Sequence, residues 1–255
     1  RWFFNSIKGN LNHYNQGVLL HARSRFEYQK VQNALDYIAR SYPLLKSNFQ
    51  GQNICNLSKG NIICAEEYNI ECDQNEKKEL LKIRNSMMRS MNISSGSLFR
   101  ASCIHGQSAD YIIFVAHHLI VDGVSWHLIL QDFDRIYSEK VDNASEFRLT
   151  GSLDSYIRYF KENHYDFSHH EPNQFYKVSD QVHNCFEIPS DNLPKDFLRI
   201  DNQKIELLAL TAFSFSFLQI DENESSSIHV EEHGRKNLDE ITDLNGWFTI
   251  IRSIN

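Results

Sequence analysis

The most constraining feature of the chain is an apolar run, residues 112–116, followed at once by His117 and His118. The segment reads Ile-Ile-Phe-Val-Ala-His-His-Leu-Ile-Val-Asp-Gly and ends at Asp122 and Gly123. A short apolar run of this length predicts a buried strand. Side chains alternate along a strand, so the two histidines are predicted to point in opposite directions. One imidazole can then face a cavity and transfer a proton near neutral pH, while the other packs within the fold.

A helix pattern begins directly after this segment. Residues 124–140 place Ile129, Phe133 and Ile136 on one face, as an amphipathic helix requires. Gly123 is expected to permit the sharp turn and the close approach that a junction between strand and helix needs.

The rest of the chain alternates between strand and helix patterns, which predicts an α/β or α+β architecture. Strand patterns cover residues 13–23, 61–70, 98–105, 111–117, 228–231 and 247–251, with a hairpin joining 98–105 to 111–117. Helix patterns cover residues 26–40, 75–91, 124–140, 151–163 and 202–219. The polar stretch 164–194 holds three of the four prolines and is predicted to be an irregular linker.

Composition excludes several classes of function. The net charge of −7 and pI near 5.9 argue against nucleic acid or an anionic membrane as a partner. Five cysteines, an odd number without metal-type spacing, favour reduced thiols and a cytoplasmic protein. The sequence has no phosphate-binding loop and no glycine-rich dinucleotide turn, so no metal, nucleotide or flavin cofactor is predicted.

The pattern His-His, three residues, Asp-Gly resembles the core motif of the condensation-domain superfamily. This superfamily comprises condensation and epimerization domains of nonribosomal peptide synthetases and the chloramphenicol-acetyltransferase-like acyltransferases. Segments similar to other motifs of the family follow in the expected order, at 1–4, 12–16, 41–49 and 96–100. The resemblance implies a two-lobed fold of the chloramphenicol-acetyltransferase type. The first lobe is expected to be complete at 1–165, with a shortened crossover at 166–199 and the start of a truncated second lobe at 200–255.

Three places resemble the epimerization branch in particular. Trp126 follows the histidine motif, as is typical of that branch. Residues 231–235 read Glu-Glu-His-Gly-Arg, and residues 243–249 read Asp-Leu-Asn-Gly-Trp-Phe-Thr; both are similar to epimerization motifs. Glu232 departs from the first of these motifs, because the family has glycine there.

The resemblance implies an acid–base reaction on a substrate that a carrier protein holds. Epimerization domains invert the α-carbon of an aminoacyl or peptidyl thioester on the phosphopantetheine arm of a carrier domain. By resemblance, His118 and Glu231 are the acid–base pair. No cofactor is bound directly, and the expected partners are a peptidyl carrier domain, in cis or in trans, and neighbouring synthetase domains.

The other motif residues are expected to be structural. His117 is predicted to pack and hydrogen-bond within the fold, and Asp122 to pair with an arginine beneath the active site. Arg100 is the predicted partner of Asp122, with Lys46 as the second choice. Such a buried pair would be costly to break.

Two alternatives remain open at this stage. A condensation domain of the same fold would form a peptide bond; His118 would then position or deprotonate the acceptor amine, and Glu231 would lose its role. A degenerate, non-catalytic fragment is the second alternative, since fold does not guarantee activity.

Overall fold

The apolar run at 112–116 lies in an interior strand of a four-stranded sheet in the computed structural model of the chain. The chain divides into two compact units, one of residues 1–169 and 233–249 and the other of residues 170–232 and 250–255. The structure describes residues 3, 4, 7, 9–22, 24–56, 63–71, 75–95, 97–138, 158, 208, 210–212, 216, 228–235 and 244–254.

The sheet of the first unit has the strand order β1-β6-β5-β4. Its strands are β1 (Asn15–Ala22), β4 (Ala65–Asn69), β5 (Phe99–His105) and β6 (Asp110–His117). β6 pairs antiparallel with β1 and with β5, so the predicted hairpin is confirmed, and β4 joins β5 in parallel. The register places Asn15 of β1 opposite His117 of β6.

Helices cover both faces of this sheet, which explains why β6 is apolar throughout. Ile112, Phe114 and Ala116 share a core with α1 (Tyr28–Ser41) and α3 (Gly123–Ser138). The intervening residues, Tyr111, Ile113 and Val115, pack with α2 (Glu76–Arg89). All eight residues of β6 are buried, as expected for a strand with no solvent-facing side.

Helix α3 confirms the apolar face predicted from the sequence. Ile129 and Phe133 of α3 are buried, and Ile136 packs against them at the margin of the same core. The helix begins at Gly123, one residue before the predicted start. No helix among the described residues is both long and apolar enough to cross a membrane.

A small hairpin was missing from the sequence prediction. β2 (Ser47–Gln50) pairs antiparallel with β3 (Asn53–Asn56) across a two-residue turn in which Gly51 has a φ of +59°. Four-residue strands rich in Ser, Asn and Gln carry little of the apolar alternation by which strands are recognised.

Two further strands, β7 (Ile228–His233) and β8 (Thr249–Ile254), pair with each other in a separate two-stranded sheet. They confirm the short strands predicted at the end of the chain. The helix patterns at 151–163 and 202–219, the predicted linker and most of the proposed second lobe lie outside the described residues, apart from isolated positions.

Candidate active site at the end of strand β6

His118 directly follows the last residue of β6 and begins a short 3-10 helix, His118–Ile120. Its backbone N–H donates to the carbonyl oxygen of Tyr14 at 2.8 Å. The imidazole packs against two aromatic rings, with ring centroids 5.3 Å away for Tyr14 and 4.4 Å away for Trp247. The Nδ1 atom of His118 is buried and has no hydrogen-bond partner among the described residues. Aromatic packing therefore orients this ring, and its Nδ1 takes no part in the hydrogen bonds of the described residues.

Phe3 completes an aromatic cluster of Phe3, Tyr14 and Trp247. Its ring centroid lies 5.4 Å from that of Tyr14 and 5.9 Å from that of Trp247. The Tyr14 and Trp247 rings are themselves stacked at 5.7 Å. The amino-terminal segment and the segment 244–248 are thus brought together beside His118.

His117 has the opposite character. Its side chain is fully buried; Nε2 lies 2.7 Å from the carbonyl oxygen of Leu11, and Nδ1 accepts a hydrogen bond from the N–H of Leu119 at 3.1 Å. This pattern requires a neutral ring protonated on Nε2. Burial lowers the pKa of His117 to about 4, outweighing the Leu11 carbonyl, which favours the charged form. His117 therefore packs and hydrogen-bonds within the fold and is a poor proton carrier near neutral pH.

Asp122 is the N-cap of α3. Its Oδ1 accepts hydrogen bonds from the backbone N–H of Ser125 at 2.8 Å and from the Ser125 hydroxyl at 2.9 Å. The Arg235 guanidinium binds the same carboxylate with both terminal nitrogens, at 2.6 and 3.0 Å. The N–H of Phe248 donates to Oδ2 at 3.2 Å. Both carboxylate oxygens are thereby stabilised by charge-assisted hydrogen bonds.

Arg235 is bound as completely as Asp122. It donates to the carbonyl oxygens of Leu244 and Gly246, and its guanidinium stacks over the Phe248 ring at 4.6 Å. We call Asp122, Ser125 and Arg235 the Asp122 cluster. Burial by itself would raise the pKa of Asp122, but the hydrogen bonds and charge of Arg235, together with the hydrogen bonds from Ser125, lower it below its usual value.

The prediction that Arg100 pairs with Asp122 is wrong, as is the second choice, Lys46, because the guanidinium on Asp122 belongs to Arg235. Arg100 instead contacts Glu66 at 2.6 Å and the hydroxyl of Ser90. The reason is strand alternation. Neighbouring residues in β5 place Phe99 and Ala101 in the core with α3, so the intervening side chain lies on the face that α2 covers.

Glycine is required at a different place from the one predicted. Gly123 is the exposed first residue of α3, and a Cβ added there would meet no atom within 4 Å, so the expectation of a close approach at Gly123 is wrong. Gly246 has a φ of +150°, and a Cβ there would lie 2.7 Å from ring atoms of Phe248. The close approach therefore occurs in the segment that binds Arg235.

Glu231 lies in β7, four residues before Arg235. Its side chain is outside the described part of the chain, so its role stays a prediction. Gly234, in the turn after β7, donates its N–H to the carbonyl oxygen of Phe248 at 2.8 Å.

Sequence reasoning assigned no role at this site to Tyr14, Ser125, Arg235 or Trp247. Three of them stand within segments already noted for their resemblance to family motifs, and Ser125 directly precedes Trp126. Their contacts with the site are not readable from the sequence, since Arg235 lies 113 residues beyond Asp122. Trp126 is buried as expected, and its Nε1 donates to the side-chain oxygen of Gln16 at 2.8 Å.

Within the residues that the structure describes, no group of three or more His, Cys, Asp or Glu side chains is placed to hold a metal ion. The described site is instead an imidazole beside aromatic rings, next to a fully bonded carboxylate and guanidinium.

Comparison with protein families matches residues 1–207 of the chain to the condensation domain model. Surfactin synthase subunit 1 of Bacillus subtilis (strain 168) is 23% identical over 290 residues, which cover 98% of this chain and 8% of that protein. Bacitracin synthase 2 of Bacillus licheniformis is 23% identical over 283 residues, covering 98% of this chain and 11% of that protein. The chain thus spans about a tenth of the length of these relatives.

Solved structures share the fold. The epimerization domain from the third module of tyrocidine synthetase B aligns with a TM-score of 0.72 at 18% identity, over 99% of this chain and 66% of that one. The first condensation domain of the calcium-dependent antibiotic synthetase aligns with a TM-score of 0.67 at 13% identity, over 95% of this chain and 64% of that one. The chain therefore has the chloramphenicol-acetyltransferase-like fold of condensation domains and covers part of it.

Proposed function

We propose, since the chain belongs to the condensation domain family of nonribosomal peptide synthetases, that it acts as an epimerization domain. In this proposal it inverts the α-carbon of an aminoacyl or peptidyl thioester carried on the phosphopantetheine arm of a carrier domain. The carrier domain is its partner, in cis or in trans, and no cofactor is bound directly.

The state of His118 supports acid–base chemistry at this site, and the resemblance of Trp126 and of residues 231–235 and 243–249 to epimerization motifs supports that branch of the family. The Nδ1 of His118 is buried without a hydrogen-bond partner among the described residues, while both ring nitrogens of His117 are bonded within the chain. The carboxylate of Asp122 is likewise held by Arg235 and Ser125. Within the described site, His118 is thus the motif side chain with a ring nitrogen that is not committed to a hydrogen bond, which supports its assignment to the proton transfer.

The reaction needs two proton transfers at one carbon. A base removes the α-proton, and the electron pair of the broken C–H bond passes into the thioester as an enolate. A second group, acting as an acid, then delivers a proton to the opposite face of the same carbon, and the electron pair of the enolate forms the new C–H bond. We assign His118 one of these transfers and Glu231 the other, on the basis of the Glu-Glu-His-Gly-Arg segment.

Peptide-bond formation is the second candidate, and the description of the matched family favours it. In that reaction the amine of an acceptor attacks the thioester carbonyl, and His118 positions the amine or removes its proton. Glu231 would have no part in that reaction, so the two candidates differ in whether the α-proton is exchanged.

Deuterium incorporation separates the candidates. A carrier domain loaded with an L-aminoacyl thioester is incubated with the protein in deuterated water, and mass spectrometry follows deuterium at the α-carbon. We expect exchange in the unmodified protein, a decrease of about 10²–10⁴-fold in His118→Ala, and a decrease in Glu231→Gln. His127→Ala, which removes an exposed histidine of α3, is the matched control and should exchange normally.

Two results would contradict this assignment. Normal exchange in His118→Ala would remove His118 from the chemistry. Intact loading without exchange in the unmodified protein would exclude epimerization; an aminoacyl acceptor added to the same mixture would then yield a dipeptide if the domain condenses, and nothing if it is a degenerate fragment.

A further inference from the structure

The side chain of Asn245 is a polar group that the acid–base chemistry does not use. Asn245 is 2% exposed, and neither its Nδ2 nor its Oδ1 has a hydrogen-bond partner among the described residues. A carboxamide offers two donor hydrogens and an acceptor oxygen, so an entire amide is left unsatisfied.

Packing gives no reason for an amide at this position. A buried amide without partners costs free energy of folding, because it loses its hydrogen bonds with water and regains none. Leucine fills a similar volume without that cost. The contacts among the described residues therefore do not account for the carboxamide.

The backbone around Asn245 is held firmly beside the candidate active site. The carbonyl oxygen of Leu244 accepts a hydrogen bond from Arg235 at 2.9 Å. The N–H of Gly246 donates to the hydroxyl of Ser125 at 3.0 Å. Two residues after Asn245, the centroid of the Trp247 ring lies 4.4 Å from the centroid of the His118 ring. An unsatisfied amide is thus fixed within the segment that contacts the proposed catalytic histidine.

We propose that Asn245 binds a secondary amide of the substrate, with Nδ2 donating to its carbonyl oxygen and Oδ1 accepting from its N–H. This inference rests on the proposed function for the identity of the ligand. A carrier-bound thioester contains such amides in two places, in the pantetheine arm and in a peptidyl group. Asn245 is then a substrate-binding residue that positions the thioester against His118.

Two small probes distinguish these sources without requiring turnover. N-propylpantothenamide carries the two arm amides and no aminoacyl group, whereas N-acetylalanine ethyl ester carries one peptide amide and no arm. NMR titration of the full chain measures the dissociation constant of each. We expect at least one probe to bind the unmodified chain. Asn245→Leu should raise the dissociation constant of that probe about ten-fold, while the thermal midpoint of the variant stays equal to that of the unmodified chain or rises. The probe that is weakened identifies the source of the amide.

Asn48→Leu is the matched control, because Asn48 of β2 is also buried and its Oδ1 has no hydrogen-bond partner within the described part of the chain, but it lies outside the described site. It should leave both dissociation constants unchanged. The proposal is overturned if neither probe binds the unmodified chain, if Asn245→Leu binds both probes normally, or if Asn48→Leu weakens them equally. Asn245→Ser replaces Asn245→Leu if the leucine variant fails to fold. Absence of α-carbon exchange in the unmodified protein would contradict the proposed function. It would leave intact the effect of Asn245→Leu on binding of the probe.

Discussion

His118 and Asp122 are four residues apart in the sequence but differ in how their polar atoms are satisfied. Asp122 has both carboxylate oxygens bonded, by Arg235, by Ser125 and by the N–H of Phe248. His118 instead keeps a buried Nδ1 without a partner among the described residues, and Asn245 keeps a whole carboxamide.

Under the proposed function, this difference separates the polar groups that hold the fold together from those assigned to the substrate. A buried polar group costs little once its hydrogen bonds are complete, and much when they are missing. The Asp122 cluster therefore stabilises the junction of α3 with segment 244–248. If the two proposals hold, the unsatisfied atoms of His118 and Asn245 gain hydrogen bonds when the substrate binds.

The largest expected effect on stability follows removal of the Arg235 charge. Arg235→Met leaves the Asp122 carboxylate buried without its guanidinium and should lower the free energy of unfolding by about 3–5 kcal/mol. Arg100→Met is the matched control, because its ion pair with Glu66 is partly exposed and should contribute less than about 1 kcal/mol. Urea unfolding monitored by tryptophan fluorescence measures both. Equal losses in the two variants would mean that the Asp122 cluster is not the structural centre of the site.

Much of this junction could be predicted from local sequence. The apolar run at 112–116 and the periodicity of 124–140 each depend on neighbouring residues, and both elements formed where expected. Resemblance likewise pointed to the segments that hold Arg235 and Trp247. The short β2–β3 hairpin was missed because its strands are polar and only four residues long.

The arginine that pairs with Asp122 could not be predicted in the same way. Arg100 is close to the motif in sequence, but strand alternation places it on the α2 face of the sheet. Arg235 lies 113 residues from Asp122, and only the folded chain brings the two together. The unpartnered amide of Asn245 is also invisible in the sequence, because satisfaction of a buried group depends on its surroundings.

The second prediction uses pH to test His117, the bonded neighbour of His118. Its pKa of about 4 in the folded chain lies below the ordinary value of 6.5, so the unfolded chain binds this proton more readily. The contribution of the neutral His117 ring to the free energy of unfolding is therefore complete above about pH 6.5. It is lost as the pH falls toward 4, by about 3 kcal/mol in total. Urea unfolding at pH 7, 5.5 and 4.5 should show this loss, and His117→Gln should flatten it.

The Asp122 cluster responds in a separate range of pH. Because the pKa of Asp122 is lowered in the folded chain, its contribution is present above the ordinary value of 3.8 and is lost only at lower pH. If the free energy of unfolding of His117→Gln still falls as steeply between pH 6.5 and 4, another group titrates in that range. That result would contradict the assignment of His117 as a neutral structural residue.

The smallest effects compare the two glycines at this junction. Gly246→Ala should lower the free energy of unfolding by about 1–3 kcal/mol, because its φ of +150° suits glycine and the new Cβ would meet the Phe248 ring at 2.7 Å. Gly123→Ala should raise it by about 0.4–1 kcal/mol, since the position is helical and open. Thermal unfolding of the two variants gives both signs directly. A loss of stability in Gly123→Ala as large as that in Gly246→Ala would restore the expectation of a close approach at Gly123. The steric constraint of the site would then lie in the histidine motif and not in segment 244–248.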